Sequence, residues 1–108
     1  MTPLVAHSDV FQAIANPARR AILDHLRDGE QPVLTLAAPF DMTLPAVSQQ
    51  LRILRRAGLV RERRLGRQRF YRLNPEPLKD VRDWMRAYEK FWTRKLRKLS
   101  DYLDRHGE

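Results

Sequence analysis

The feature that most limits how this chain can fold is a long stripe of apolar residues in its last third. The stripe advances in steps of three or four residues, the spacing of one face of an α-helix. Its members are Leu78, Val81, Met85, Tyr88, Trp92, Leu96, Leu99 and Leu103. A helix of about 25 residues is roughly 40 Å long. We therefore expect a single long helix over residues 78–104.

This helix offers more apolar surface than residues 1–73 can cover. Trp84, Phe91 and Tyr102 widen the stripe on one side. Because such a face must be buried, a partner helix is needed, most simply from a second copy of the chain. The predicted dimer interface comprises Phe11, Trp84, Met85, Tyr88, Phe91, Trp92, Leu96 and Leu99. A pocket for an apolar small-molecule effector is an alternative use of the same aromatic belt.

Length and composition exclude several classes of protein. A chain of 108 residues is expected to form one domain, residues 1–108. The absence of cysteine excludes disulfides, thiolate metal sites and thiol nucleophiles. The longest nearly apolar run, residues 33–40, is far shorter than the roughly 20 residues that cross a bilayer. The N-terminus shows no secretion signal, so we expect a cytoplasmic protein.

No pattern of catalytic residues is present. None of the three serines stands in a nucleophile-elbow motif, and four glycines form no phosphate-cradling loop. The sequence therefore predicts a protein that is not an enzyme and that needs no cofactor.

The positive charge is concentrated in the middle of the chain. The formal net charge is +8, and residues 43–73 alone carry nine arginines against a single acid, Glu62. Residues 1–42 have a net charge of −2, and residues 74–108 have one of +2. Basic residues concentrated in this way are typical of a surface that binds a polyanion such as nucleic acid.

Cap and stop signals divide the first 42 residues into three helices. Residues 8–15 have the spacing of a short amphipathic helix. A second helix is predicted over residues 17–28, with Asn16 as its cap and Gly29 as its stop. Its predicted core face is Ala18, Ile22, Leu23 and Leu26. Residues 33–40 predict a brief third helix, limited by a proline near its end.

A fourth helix is predicted over residues 43–57, with the Thr43 hydroxyl as its cap and Gly58 as its stop. Its core stripe is Leu44, Val47, Leu51 and Leu54. The opposite side carries Pro45, Gln49, Arg52 and Arg56, flanked by Ser48 and Arg55 on one shoulder and by Ala46 and Ile53 on the other. This outward face is polar and basic.

Residues 59–73 predict a β-hairpin around Gly66-Arg67, since glycine at the first central position suits a type II′ turn. The predicted register pairs Val60 with Leu73, Glu62 with Tyr71 and Arg64 with Arg69. The base of the hairpin is therefore apolar, and its tip is rich in arginine.

This order of elements is that of a winged helix-turn-helix domain, mainly α with a small β-hairpin and a long C-terminal dimerisation helix. A major groove is about 12 Å wide and admits one helix, whose N-terminal turns reach the base edges. We expect Ser48, Gln49 and Arg52 to contact bases there. The arginines of the wing are expected to lie over the backbone or the adjacent minor groove. At its tip, Arg67 and Arg69 are expected to contact phosphate, whereas Arg61 and Arg72 are expected to be solvated or paired with acids.

Three segments in succession carry a family resemblance. Residues 16–23 read NPARRAIL, residues 45–60 read PAVSQQLRILRRAGLV, and Gly66-Arg67 precedes FYRL at residues 70–73. Together they resemble the arsenic-repressor (ArsR/SmtB-type) family of winged-helix transcription factors, whose pattern covers about residues 9–103. The resemblance implies a homodimeric repressor of a bacterial or archaeal operator, often its own promoter. It also implies that DNA is met by Thr43, Ala46, Ser48, Gln49, Gln50 and Arg52.

One departure from the family pattern concerns sensing. Many members bind metals through cysteine pairs in the short third helix, where this chain reads Leu36-Ala37-Ala38-Pro39-Phe40. A metal response is therefore not implied, and the aromatic last helix resembles the subgroup without a metal site. The three histidines, on different elements, do not share a face with enough acids, so no metal site is predicted. They are His7, His25 and His106.

The sequence thus predicts a sequence-specific regulator that binds double-stranded DNA, most simply as a homodimeric repressor on a pseudopalindromic promoter operator. The predicted DNA-binding residues are Thr43, Pro45, Ala46, Ser48, Gln49, Gln50, Arg52, Arg56, Arg67 and Arg69. One alternative is a non-specific architectural binder of DNA or RNA, whose arginines contact only the backbone. Another is a protein-interaction module that regulates a partner through the long helix.

Overall fold

The computed structural model describes residues 10–106. Residues 10–14 are helical and are called α1 here. The other elements are α2 (Pro17–His25), β1 (Gln31–Pro32), α3 (Val33–Ala37), α4 (Leu44–Arg56), β2 (Val60–Leu65), β3 (Gln68–Leu73) and α5 (Leu78–His106). This order confirms the predicted fold class: a mainly helical chain with a small antiparallel sheet and a long C-terminal helix. The beginning of the predicted first helix, Ser8, lies outside the described residues, as does His7.

The helices α2 and α4 begin at the predicted caps. The Asn16 side chain accepts a hydrogen bond from the Arg19 amide at 3.1 Å, and the Thr43 hydroxyl accepts one from the Ala46 amide at 3.2 Å. A proline follows each cap within the first turn, where its missing N–H leaves no hydrogen bond unmade. A cap of this kind contributes about 1 kcal/mol. Local sequence chemistry thus determines where both helices start.

Two helices end three residues earlier than predicted. The helix α2 stops at His25 because the amide groups of Leu26 and Arg27 bond three residues back, which tightens the chain into turns before Gly29. The helix α3 stops at Ala37 instead of reaching residue 40. Pro39 has no amide to donate, so the helical pattern cannot continue through it.

The hairpin has the predicted register, and it belongs to a sheet of three strands. Strand β3 pairs with β2 as expected, including Glu62 opposite Tyr71. Gly66, the first central residue of the turn, has a φ of +63°. Arg67, the second, does not have a positive φ, since no residue other than glycine does among residues 10–106. This combination is that of a type II′ turn. The short strand β1 was not predicted; it lies between the second and third helices and adds Gln31 opposite Tyr71 on the other edge of β3. A strand of two residues has no periodicity by which sequence reasoning could detect it.

The core lies between the helices and the sheet. Its largest fully buried side chains are Ile22, Leu26, Leu36, Val47, Leu51, Leu54, Leu59 and Val60. Two residues predicted to face the core are less buried than expected: Ala18 is half-buried, and Leu44 is 42% exposed. Leu44 is the first residue of α4, and helical side chains lean towards the N-terminus, so it projects past the elements that cover the next turns.

Only the first turn of α5 packs on this core, through Leu78 and Val81. Beyond it the aromatic and leucine side chains of the stripe lie 44–64% exposed in the single chain. Phe11 of α1 makes an edge-to-face contact with Trp84, with 5.9 Å between the ring centroids. Most of the stripe is therefore uncovered, as the sequence predicted. Within residues 10–106, no helix is both long and apolar enough to cross a membrane.

Candidate nucleic-acid interface

The helix α4 has two faces of opposite character. Val47, Leu51 and Leu54 are completely buried and fix the helix to the core. The outward side chains of Pro45, Gln49, Arg52 and Arg56 are exposed, and Ala46 and Ser48 are partly exposed. The first turn contains no acidic residue, so the positive end of the helix dipole meets solvent without a neutralising carboxylate. This face can approach an anionic partner without charge repulsion.

Gln49 and Arg52 form a pair on the exposed side of α4. Arg52 Nη1 donates a hydrogen bond to Gln49 Oε1 at 3.0 Å, one turn along the helix. Both residues are exposed to solvent. Gln and Arg are the side chains that bond adenine and guanine with two hydrogen bonds. The arrangement is therefore chemically suited to contact with base edges.

Gln50 lies differently from its neighbours on α4. Its Oε1 accepts a 2.9 Å hydrogen bond from Arg19 Nη1 of α2, and its side chain is partly buried. The same guanidinium donates to the carbonyl oxygens of Gln12 and Ala13 at 2.9 and 2.8 Å. Gln50 is thus tied to α2 and the end of α1, and this position favours a packing role over base contact.

The two faces of the wing carry different arginines. Arg64 and Arg69 share the face that turns towards α4, whereas Arg61 and Arg72 lie opposite each other on the outer face. Arg67 is exposed in the turn itself. Of the two arginines predicted to contact DNA from the tip, Arg67 is at the tip, and Arg69 lies beside an acid on the inner face.

A polar cluster joins the wing to α4, and the sequence predicted only its Glu62–Tyr71 pairing. The Tyr71 hydroxyl donates a 2.6 Å hydrogen bond to Glu62 Oε2, which also lies 3.3 Å from Arg55 Nη1 and 4.0 Å from Arg69 Nη1. Burial, followed by the hydrogen bond to Glu62, raises the pKa of Tyr71 to about 12. A small cavity of about 110 Å³ separates the cluster from Ser48 and is lined by both.

A second ion pair stabilises the outer face of the wing. Arg63 donates to both carboxylate oxygens of Glu30 at 2.7–3.0 Å, and its guanidinium lies 5.1 Å from the centre of the Phe70 ring. The hydrogen bond from Arg63 lowers the pKa of Glu30. This pair fastens the segment before β1 to β2.

The described histidines lie beside aromatic rings. His25 meets the Phe40 ring edge-on at 5.4 Å, and His106 lies 4.4 Å from the Tyr102 ring. Within residues 10–106, no three side chains of the metal-binding types cluster closely enough to hold an ion.

Comparison with known proteins agrees with this architecture. Residues 14–63 match a helix-turn-helix domain family. The chain is 38% identical over 98 residues to the HTH-type transcriptional regulator Rv2034 of Mycobacterium tuberculosis, a match that covers 91% of this chain and 89% of that protein. It is 37% identical over 78 residues to the transcriptional repressor SdpR of Bacillus subtilis, over 72% of this chain and 87% of that repressor.

Solved structures show the same likeness. The crystal structure of the ArsR family transcriptional regulator RHA00566 matches with a TM-score of 0.75 and 34% identity, over 85% of this chain and 95% of that one. A possible transcriptional regulator for arsenical resistance matches with a TM-score of 0.65 and 41% identity, over 83% and 91% of the two chains. Because these similarities extend over nearly the whole length of the relatives, the chain belongs to the ArsR family of winged helix-turn-helix transcriptional regulators.

Proposed function

We propose that this protein is a homodimeric repressor that binds a pseudopalindromic operator in a promoter and thereby blocks transcription. Family membership makes it a DNA-binding regulator and not an enzyme. The observation that carries the more specific proposal is the two-faced helix α4, which is buried through Val47 and Leu51 and exposed through Gln49 and Arg52. Such a helix is fixed to the domain while its polar side remains available to a groove.

Each part of the surface has a proposed role. Ser48, Gln49 and Arg52 read base edges, while Thr43, Pro45 and Ala46 bring the start of α4 close to the backbone. The exposed guanidinium groups of Arg56 and Arg67 bind phosphates and set the register of the protein on the duplex. Arg69 assists from the inner face of the wing, and Gln50 supports α4 from the side of α2.

The proposed dimer forms along α5 and α1. The exposed stripe from Trp84 to Leu103 is apolar and long, and a second copy of the same helix matches it in both length and chemistry. Burial of the stripe removes an apolar surface that a lone chain would expose to water. Two copies would present their α4 helices about one helical turn, roughly 34 Å, apart on the DNA. Since its proposed target is promoter DNA, the protein is proposed to act in the cytoplasm.

The names of two relatives support repression. The SdpR protein of Bacillus subtilis is named a transcriptional repressor, and a relative from Agrobacterium fabrum, 44% identical over 64 residues, is named a biofilm growth-associated repressor. A repressor works by occupying a promoter, and a tightly bound dimer is sufficient for that purpose. Without cysteine, the chain cannot use thiolate sensing, so binding is proposed to be independent of thiophilic metals.

The decisive experiment is binding of the purified protein to the DNA upstream of its own coding sequence. The comparison duplex is a scrambled sequence of equal length, at about 150 mM salt, with and without a chelator. We expect a preference of about a thousandfold or more for the promoter, unchanged by the chelator. Equal affinity for both duplexes would instead identify an architectural binder that contacts the backbone alone.

A further inference from the structure

We infer that Glu62 is a positioning residue, which holds Arg55 of α4 and Arg69 of the wing together and thereby increases discrimination between the operator and other DNA. The inference rests on the proposed function, since discrimination is a property of operator binding. Glu62 thereby influences DNA binding although its negative charge makes direct contact with DNA phosphate unfavourable.

The carboxylate of Glu62 is the point at which the helix and the wing meet. Its Oε2 lies 3.3 Å from Arg55 Nη1 and 4.0 Å from Arg69 Nη1. The Glu62 side chain is only 19% exposed, whereas those of Arg55 and Arg69 are 57% and 42% exposed. The acid is therefore the inner member of the cluster, and the arginines are its outer members.

Tyr71 anchors this carboxylate to the core. Its side chain is 4% exposed, it stands opposite Glu62 across the hairpin, and its hydroxyl donates the 2.6 Å hydrogen bond. A hydrogen bond to a charged group is shorter and stronger than one between neutral groups. Glu62 consequently has a fixed place on the sheet, and two otherwise flexible guanidinium groups are attracted to that place.

The charge of Glu62 acts differently on the two kinds of DNA. It is the sole acid among residues 43–73, and it repels phosphates of any sequence while it partly neutralises two arginines. Random DNA is bound mainly through its phosphates, so the charge of Glu62 lowers the affinity of the protein for random DNA. Affinity for the operator also depends on base contacts by α4. These contacts are stronger when the distance between the wing and the helix is fixed. The net result is a larger ratio of operator affinity to random affinity.

The test compares Glu62→Gln with the wild-type protein on promoter and scrambled duplexes between about 50 and about 200 mM salt. The glutamine oxygen can still accept the Tyr71 hydroxyl, so the substitution removes the charge and preserves the anchor. We expect tighter binding to the scrambled duplex, with a salt slope steeper by about 0.9, the value for one more phosphate contact. The ratio of the two affinities should fall about tenfold.

Glu30→Gln is the matched control, because it removes the same charge from the outer face, where Glu30 binds Arg63. We expect its affinity ratio to stay within about twofold of the wild type and its salt slope to be unchanged. If Glu62→Gln and Glu30→Gln shift the ratio equally, or neither shifts it, the inference is wrong. A wild-type protein without promoter preference would contradict the proposed function instead.

Tyr71→Phe removes the hydrogen bond that anchors Glu62 and leaves the charge of Glu62 in place. The Glu62 carboxylate remains, so the salt slope should stay at the wild-type value, while the loosened spacing should lower the affinity ratio about threefold. A ratio equal to the wild type would contradict the anchoring role of Tyr71. Thermal unfolding, monitored by circular dichroism, checks that each variant is folded. If Glu62→Gln does not fold, the affinity ratio of Tyr71→Phe becomes the test of the positioning role.

Discussion

Arg19 on α2 and Gln50 on α4 are joined by a 2.9 Å hydrogen bond, and the same guanidinium binds the carbonyl oxygens at the end of α1. The helix α1 in turn contacts the proposed dimer seam through Phe11 and Trp84. A short series of contacts therefore leads from the seam to the helix proposed to read DNA. Arg19 is the side chain that joins α1 to α4 in this series.

Arg19→Ala should destabilise the fold. It removes three hydrogen bonds from a charged donor, to the carbonyl oxygens of Gln12 and Ala13 and to the side chain of Gln50. We therefore expect a loss of about 2 kcal/mol in the free energy of unfolding. Urea denaturation measures the change. Arg20→Ala is the control, since Arg20 makes one exposed bond to the Ile14 carbonyl, and its loss should be about 0.5 kcal/mol or less. Equal losses in both variants would contradict the linking role of Arg19.

Arg67→Ala should weaken the binding of all duplexes to the same extent. Arg67 lies exposed in the turn of the wing, and its proposed role is to contact the DNA backbone. We expect the salt slope to decrease by about 0.9, the value for one lost phosphate contact. Fluorescence anisotropy with promoter and scrambled duplexes at several salt concentrations measures the slope. Arg61→Ala, on the outer face of the sheet, is the control and should leave the slope unchanged.

Gln49→Ala should instead reduce discrimination. The substitution removes a bidentate base-reading group without a change of charge, so the promoter should lose about 1–3 kcal/mol of binding free energy and the scrambled duplex little. The same anisotropy titration measures both. If Gln49→Ala and Arg67→Ala gave the same pattern of losses, the assignment of base reading to α4 and of backbone contact to the wing would be wrong.

The parts of this structure that were predicted from sequence are those with a local physical signal. The caps at Asn16 and Thr43 have a side-chain acceptor followed by proline, and the hairpin register follows from the Gly66 turn and the two-residue alternation. Strand β1 has no such signal, because its two residues are defined only by their pairing with a strand almost 40 residues away.

The polar cluster around Glu62 was predictable only in part. Strand alternation placed Glu62 opposite Tyr71, and the count of charges singled out Glu62 as the one acid in the basic segment. The approach of Arg55 depends on how α4 packs against the sheet, which is a tertiary property without a sequence pattern. The bonds of Arg19 to backbone carbonyls were missed for a related reason, since every residue has a carbonyl and none is marked in the sequence.

High pH should destabilise the protein through Tyr71. Its pKa is raised from the usual value of 10.0 to about 12, so the folded state favours the neutral phenol. This contribution is fully present below pH 10 and is lost as the pH rises through about 12. Chemical denaturation at a series of pH values should show a fall in stability over this window in the wild type. Tyr71→Phe should show a shallower fall, and identical curves would contradict the prediction.

Trp92→Asp should produce monomers that bind the promoter poorly. Trp92 lies in the middle of the exposed stripe of α5, with 44% of its surface exposed in the single chain, so in a dimer the new carboxylate would be buried without a partner. Sedimentation measures the oligomeric state, and anisotropy measures the affinity. Thr93→Asp introduces the same charge on an exposed residue about 100° around the helix and should remain dimeric. If Trp92→Asp were dimeric, the seam would lie elsewhere. If Thr93→Asp were monomeric as well, added charge on α5, and not burial at Trp92, would explain the dissociation.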